Sequence, residues 1–120
     1  MAAPNIVNVT NIIGHTDVQS VGTSATAIVT NSAASGKVFK VNSLIVSNID
    51  GTNAADITID LFRSSTSYKI ASTITVPADA TLVVISKETA IYLEEGDSLR
   101  CQASAAGDLQ AICSYEEINN

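Results

Sequence analysis

Few residues in this chain belong to the types that carry chemistry in proteins. There are two cysteines, Cys101 and Cys113, and a single histidine, His15. No second histidine accompanies His15, and no serine or cysteine stands in a recognisable nucleophile motif, so a catalytic centre is not expected. Two cysteines and one histidine also fall short of the ligand set of a structural zinc site. We therefore expect a protein that is not an enzyme and uses no cofactor, with His15 in a solvated or capping position.

The two cysteines are predicted to face each other across a hairpin. A three-residue loop centred on Gly107 pairs Cys101 with Cys113 and places the apolar residues of both strands on one face. This register brings the two sulfur atoms close enough for a disulfide. The alternative is a pair of buried, reduced thiols that behave as small apolar side chains. Because no secretory signal is visible at the start of the sequence, we expect the reduced state.

Acidic residues gather in two predicted turns. One group contains Asp50 and Asp56, with Asn53 between them, and the other lies in residues 94–97. Oxygen ligands of this kind suit calcium, but neither spacing matches an EF-hand loop. Turns select Asp and Asn because these side chains bond to the neighbouring backbone. We therefore expect solvated turn carboxylates, with cation binding as the alternative.

Length and charge limit the classes of protein to consider. A chain of 120 residues is one domain on size alone, spanning residues 1–120. The net charge is −6 and the six basic residues are scattered, which argues against a nucleic-acid partner. No apolar run approaches the length that crosses a membrane, so no membrane partner is expected. Synthesis and folding in a cytosol are predicted.

Short strands separated by turn residues run along the chain. Ile57, Ile59 and Leu61 alternate with polar residues and are predicted to face inward, and Leu99 holds the same kind of position. The turns contain Gly, Asp, Asn, Ser or Pro, and no helix pattern of useful length appears. About eight to ten short strands at this spacing are typical of a sandwich or a barrel. The expected fold class is all-β, an antiparallel β-sandwich of the jelly-roll kind.

The N-terminal residues 5–13 are apolar and β-branched, and they predict an edge strand or arm that ends at Gly14. The following residues, as far as Gly22, predict a short strand or a loop. A terminal strand can complete its own sheet or add to a neighbouring subunit. An exposed apolar edge risks aggregation, which favours an ordered role in subunit contacts. The side chains predicted to make these contacts are Ile6, Val7, Val9, Ile12 and Ile13.

Four stretches of the sequence resemble a family of small virion structural proteins from tailed phages of marine cyanobacteria and other aquatic bacteria. They are the opening MAAPNIVNV, the segment KVFKVNSLIVSNIDGTNAADITIDL, the run TVPADATL, and IYLEEGDSLR together with the closing SYEEI. The resemblance extends over nearly the full length. It implies a particle component without enzymatic activity, located in the virion and made in the host bacterial cytoplasm. It assigns no binding residues.

The expected function is that of a capsid decoration (cement) protein, which binds the capsid lattice and stabilises the head. The expected partner is the major capsid protein or another virion protein, and a homo-oligomer such as a trimer is expected. A tail, neck or fibre adaptor is the alternative. A carbohydrate-binding module is less favoured, because sugar platforms usually use exposed aromatic residues and the chain has no Trp.

Overall fold

A computed structural model of the chain describes residues 4–120. This part of the chain is nearly all β, and its one short 3-10 helix covers Lys87–Thr89. Within residues 4–120, no helix is long and apolar enough to cross a membrane. The strands are β1 (Asn11–Ser20), β2 (Thr26–Thr30), β3 (Val38–Asn48), β4 (Ala55–Arg63), β5 (Thr66–Val76), β6 (Thr81–Ile85), β7 (Ile91–Leu93), β8 (Ser98–Ala103) and β9 (Leu109–Asn119).

The strands form two antiparallel sheets. Sheet A has the order β1-β9-β3-β6, with β7 also paired to β3, and sheet B has the order β2-β8-β4-β5. Early strands pair with late ones in a nested series: β1 with β9, β2 with β8, β3 with β6 and β7, and β4 with β5. Such nesting is that of a jelly roll, an architecture found in viral capsid and lectin domains. The predicted antiparallel β-sandwich is confirmed.

The core lies between the two sheets and is built mainly from aliphatic side chains. Ile57, Ile59 and Leu99 are fully buried, as their alternation predicts. Leu61 also faces inward and packs against this core, but it is only partly buried. Leu61 pairs with Tyr68 on the edge strand β5, where the sandwich gives less cover. Fully buried side chains are therefore concentrated in the inner strands.

The first strand begins later than its composition predicts. It runs from Asn11 through Gly14 to Ser20, so Gly14 does not end it and the polar stretch that follows is strand. Each of its residues is paired with β9, so backbone pairing sets its extent. Residues 4–10 precede the strand and contain a tight turn, in which the Asn8 amide donates to the Asn5 carbonyl at 3.0 Å.

The predicted hairpin between the two cysteine-bearing strands is wrong, because β8 lies in sheet B and β9 in sheet A. Cys101 pairs with Ile59, whereas Cys113 pairs with Leu44. The loop at Gly107 therefore carries the chain from one sheet to the other. Both thiols are free and lie fully buried in the shared core. Burial raises the pKa of each thiol to about 12.

Candidate docking surface

The outer face of sheet A carries an aliphatic row that crosses four strands. Val18 on β1 pairs with Ile112 on β9, and Ile112 pairs in turn with Ile45 on β3. Ile45 then pairs with Val83 on β6. Neighbouring residues on each strand alternate between the core and this face, so the four side chains project on the same side. We call this row the aliphatic stripe.

The stripe is open to solvent along most of its length. The exposed fraction is 73% for Val18, 58% for Val83 and 38% for Ile112, and Ile45 is half-buried. Single exposed apolar residues are common on soluble proteins. Four apolar residues side by side on neighbouring strands form a contiguous patch. Such a patch typically marks a contact site for another macromolecule.

Two rows of uncharged polar residues border the stripe. Hydroxyl groups bridge neighbouring strands in both rows, with Thr16 to Ser114 at 3.2 Å and Ser47 to Thr81 at 3.2 Å. No charged side chain occurs in the stripe or in either row, although the chain carries a net charge of −6. The cores of protein interfaces are likewise depleted of charge. The rows are Ser20, Gln110, Ser47 and Thr81 on one side, and Thr16, Ser114 and Ser43 on the other.

The outer face of sheet B is occupied by a charge cluster. Arg100 on β8 donates to both oxygens of Asp60 on β4, at 2.9 and 2.8 Å, and Ser67 donates to the same carboxylate at 2.6 Å. The Arg100 guanidinium lies 3.9 Å from the centre of the Phe62 ring. Asp60 is only 3% exposed, and Arg100 holds the pKa of its carboxyl below the usual range. These polar groups bind one another, and the cluster joins the strands of sheet B.

A second ion pair closes the acidic turn at residues 94–97. Arg63 donates to both oxygens of Asp97, at 2.7 and 2.6 Å, and to Glu94 at 2.7 Å. Burial raises the pKa of Asp97, but bonds from Arg63 and from the Glu94 amide outweigh it, and the pKa lies below its usual value. The expectation of a solvated carboxylate is therefore wrong for Asp97, since its side chain is buried against Arg63.

The other acidic turn follows the expected backbone chemistry. The Asp50 carboxylate accepts hydrogen bonds from the amides of Thr52, at 2.8 Å, and Asn53, at 3.3 Å. These bonds lower the pKa of Asp50. In residues 4–120, no three His, Cys, Asp or Glu side chains gather in a way that could hold a metal ion.

His15 is half-buried, with its side chain 37% exposed, and it does not cap a helix. Its ring stacks on Tyr115 with the centroids 5.2 Å apart, and its Nε2 lies 3.2 Å from the Glu117 carboxylate. Lys37 approaches the other oxygen of Glu117 at 3.0 Å, and this bond outweighs the effect of burial and lowers the pKa of Glu117. The Tyr115 hydroxyl donates to Asp17 at 2.8 Å. The group links β1 to β9, so the surroundings of His15 are those of a structural residue.

The predicted contact residues of the N-terminal segment lie mostly at the surface. Ile6 is 48% exposed and Val7 is 91% exposed, whereas Val9 is half-buried. Ile12 and Ile13 start β1 and are exposed on opposite faces of the strand. Within residues 4–120, then, the five predicted side chains are brought to one end of the molecule without forming a single row.

The N-terminal segment lies against the outer face of sheet A. Pro4 and Ile6 line a shallow groove of about 290 Å³ together with Val38 and Tyr92. Val38 projects outward, yet it is almost fully buried, as is its partner Ile118. The segment therefore covers one end of the face that carries the aliphatic stripe.

Sequence reasoning missed the stripe altogether. Val18, Ile45, Val83 and Ile112 are far apart in the chain, and only the pairing of four strands makes them neighbours. One local signal was available. Val18 and Ile112 are apolar at the outward positions of alternating strands, where a solvated sheet face usually carries polar residues.

No family model matches this chain, and no curated protein sequence matches it. Among solved structures, the chain is similar to one in the acid-stable capsid of Helicobacter pylori bacteriophage KHP30. The TM-score is 0.54 and the sequence identity 6%, over 92% of this chain and 90% of that chain. It is also similar to a protein of Bacillus endospore appendages, described as disulfide-linked pili. That TM-score is 0.52 with 15% identity, over 90% of this chain and 88% of that one. At these identities the likeness shows a shared sandwich fold.

Proposed function

We propose that this protein is a non-enzymatic structural component of a virus particle, and specifically a capsid decoration protein that binds the capsid lattice and stabilises the head. The observation that carries the proposal is the aliphatic stripe on the outer face of sheet A, bordered on both sides by uncharged polar residues. An exposed patch of this kind suits contact with another protein, since interface cores exclude charge and bury apolar side chains.

The fold and the sequence support the same role. The sandwich is shared with a protein of the KHP30 phage capsid, and the sequence resembles small virion proteins of tailed phages. Two ion pairs fasten the structure: Asp60 with Arg100 joins β4 to β8, and Asp97 with Arg63 ties the turn before β8 to the end of β4. A compact unit held in this way suits a part that is added to a particle in many copies. The proposed partner is the major capsid protein or another virion protein.

The N-terminal segment is proposed as a second contact region, in contacts between subunits of the particle. Val7 is almost fully exposed, and Ile6 and Ile12 expose about half of their surface beside it. Apolar side chains placed this way at a chain end favour contact with a neighbour over solvent. The proposed contact residues remain those of the sequence prediction.

A tail, neck or fibre adaptor is the second candidate. The observation that favours it is the likeness to the protein of the Bacillus endospore appendages, because that protein belongs to a pilus. The two candidates differ in how many copies a particle holds. A capsid lattice repeats a site many times, whereas a tail or neck offers few.

Quantitative mass spectrometry of purified particles from the virus that encodes the chain tests the proposal. Decoration of the head predicts on the order of hundreds of copies per particle, because each closed symmetric shell repeats its contact sites. A few tens of copies would assign the protein to the tail or neck. Absence from the particles would overturn the virion role.

A chain that lacks residues 1–10, which precede β1, should fold but join particles less well if the N-terminal segment makes subunit contacts.

A further inference from the structure

We propose that the outer face of sheet A binds a second copy of this chain, with one aliphatic stripe packed on the other. The inference goes beyond the proposed function, since it concerns the free protein: the face proposed to contact the capsid lattice pairs with a second copy where no lattice is present. The contact between copies does not depend on whether the protein belongs to a virus particle.

The absence of charged side chains from the stripe and its two polar rows favours a second copy as the partner. Two copies each carry −6, so charged residues at their contact would bring like charges together. The stripe and its two polar rows contain no charged side chain, and they are therefore free of that repulsion. An acidic protein that binds a basic partner would instead be expected to present its carboxylates at the contact. On this chain, the clustered charges of Asp60, Arg100 and Lys69 lie on the opposite face. Lys40 and Glu116 lie on the same face as the stripe, as a pair of opposite charges one row beyond its polar border.

The order of the stripe makes it complementary to itself. Consider a two-fold axis that lies in the contact plane, parallel to the strands, and passes between Ile112 and Ile45. It places Val18 of one copy on Val83 of the other. The same rotation places Ile112 on Ile45. Contacts of this kind are isologous, which means that each pairing occurs twice in the dimer. Two sheets can pack face to face in this way at a spacing of about 10 Å.

The size of the patch predicts a weak association in solution. Four strands at about 4.8 Å spacing, and three rows at about 7 Å spacing, give a surface on the order of 400 Å² per copy. Stable interfaces bury about 800 Å² on each partner. The stripe and its two rows therefore supply roughly half of what a stable dimer needs, so the dimer should form at high concentration or where other contacts hold two copies together.

Sedimentation analysis of three variants tests the contact, at concentrations up to about 1 mM, where weak dimers become populated. Val18→Lys and Val83→Glu each place one charge per copy, and so two like charges in the dimer contact, and each should weaken association at least tenfold. The double variant V18K/V83E places Lys beside Glu at both copies of the pairing, so association should return toward the wild-type level. All three changes are at exposed positions of edge strands, and folding is checked by circular dichroism.

Ala27→Lys is the matched control, because Ala27 is exposed and pairs with Arg100 in sheet B, away from the stripe. It should leave association unchanged.

Added salt should strengthen the wild-type dimer, since it screens the repulsion between two acidic copies. A wild-type chain that stays monomeric throughout, a species of three times the monomer mass, or a double variant no better than its singles would each overturn the proposal. Weakening by salt would also overturn it, because it would indicate a contact built on ion pairs.

Discussion

The outer face of sheet B carries Arg100 hydrogen-bonded to both oxygens of Asp60, whereas the corresponding face of sheet A exposes Val18, Ile112 and Val83 to solvent. Both faces belong to antiparallel sheets that share one core. In sheet B the polar side chains find their partners within the chain. In sheet A the three exposed apolar side chains have no partner in residues 4–120 that covers them. The charged groups on one face are paired within the chain, whereas the stripe on the other leaves apolar surface exposed to solvent.

Removal of Arg100 is expected to have the largest effect on the free energy of unfolding. Arg100→Met keeps an aliphatic stem near Phe62 but leaves the buried Asp60 carboxylate without its two strongest bonds. Loss of one partner of a buried ion pair costs about 3 kcal/mol or more, and Ser67 and Lys69 hold the loss near the lower end. Urea denaturation measures the difference. A loss below about 0.5 kcal/mol, which is the range of ordinary surface changes, would show that the cluster contributes little to stability.

Acid should weaken the protein through two ion-paired carboxylates, Asp60 in sheet B and Asp97 in the turn before β8. The pKa values of Asp60 and Asp97 in the folded protein lie below the ordinary value of 3.8. Their contribution is therefore fully present above that value and is lost as the pH falls below it toward the folded pKa values, because the unfolded state binds more protons. Denaturation curves at a series of pH values should show the free energy of unfolding fall steeply below about pH 4. Arg100→Met should flatten this fall, and an unchanged slope would contradict the assignment.

The smallest change in stability is expected in the stripe. Val18→Thr and Val83→Thr replace a methyl group by a hydroxyl at exposed positions, and each should shift the free energy of unfolding by less than about 0.5 kcal/mol. The same denaturation measurement provides the comparison with Arg100→Met. A loss above about 1 kcal/mol would show that the stripe supports the fold itself. The contrast between the two faces would then disappear.

The sequence predicts the fold class well because alternation reports which side chains face inward. Ile57, Ile59 and Leu99 satisfy it, and all three are fully buried. Alternation does not report which strand lies beside which. The inward residues of β8 and β9 reach the core equally well as a hairpin in one sheet or as strands of two facing sheets. The hairpin around Gly107 was wrong for this reason, although both cysteines do lie in the core.

The docking surface was harder to predict than the fold. Its stripe can be recognised only when three separate strand registers are known, and no local pattern joins Val18 to Val83. The N-terminal segment shows the opposite case. Its apolar composition predicted a strand over residues 5–13, but composition could not reveal that strand pairing starts only at Asn11. Backbone pairing with β9 decides that boundary.

The rate at which the two buried thiols are alkylated can report how often the sandwich opens. Cys101 belongs to sheet B and Cys113 to sheet A, and a pKa of about 12 leaves almost no reactive thiolate at neutral pH. An alkylating reagent can therefore reach either sulfur only when the sandwich opens, and the rate of labelling counts those openings. Equal rates at the two positions mean that both sheets part in one cooperative event. A faster rate at one position identifies the sheet that loosens first.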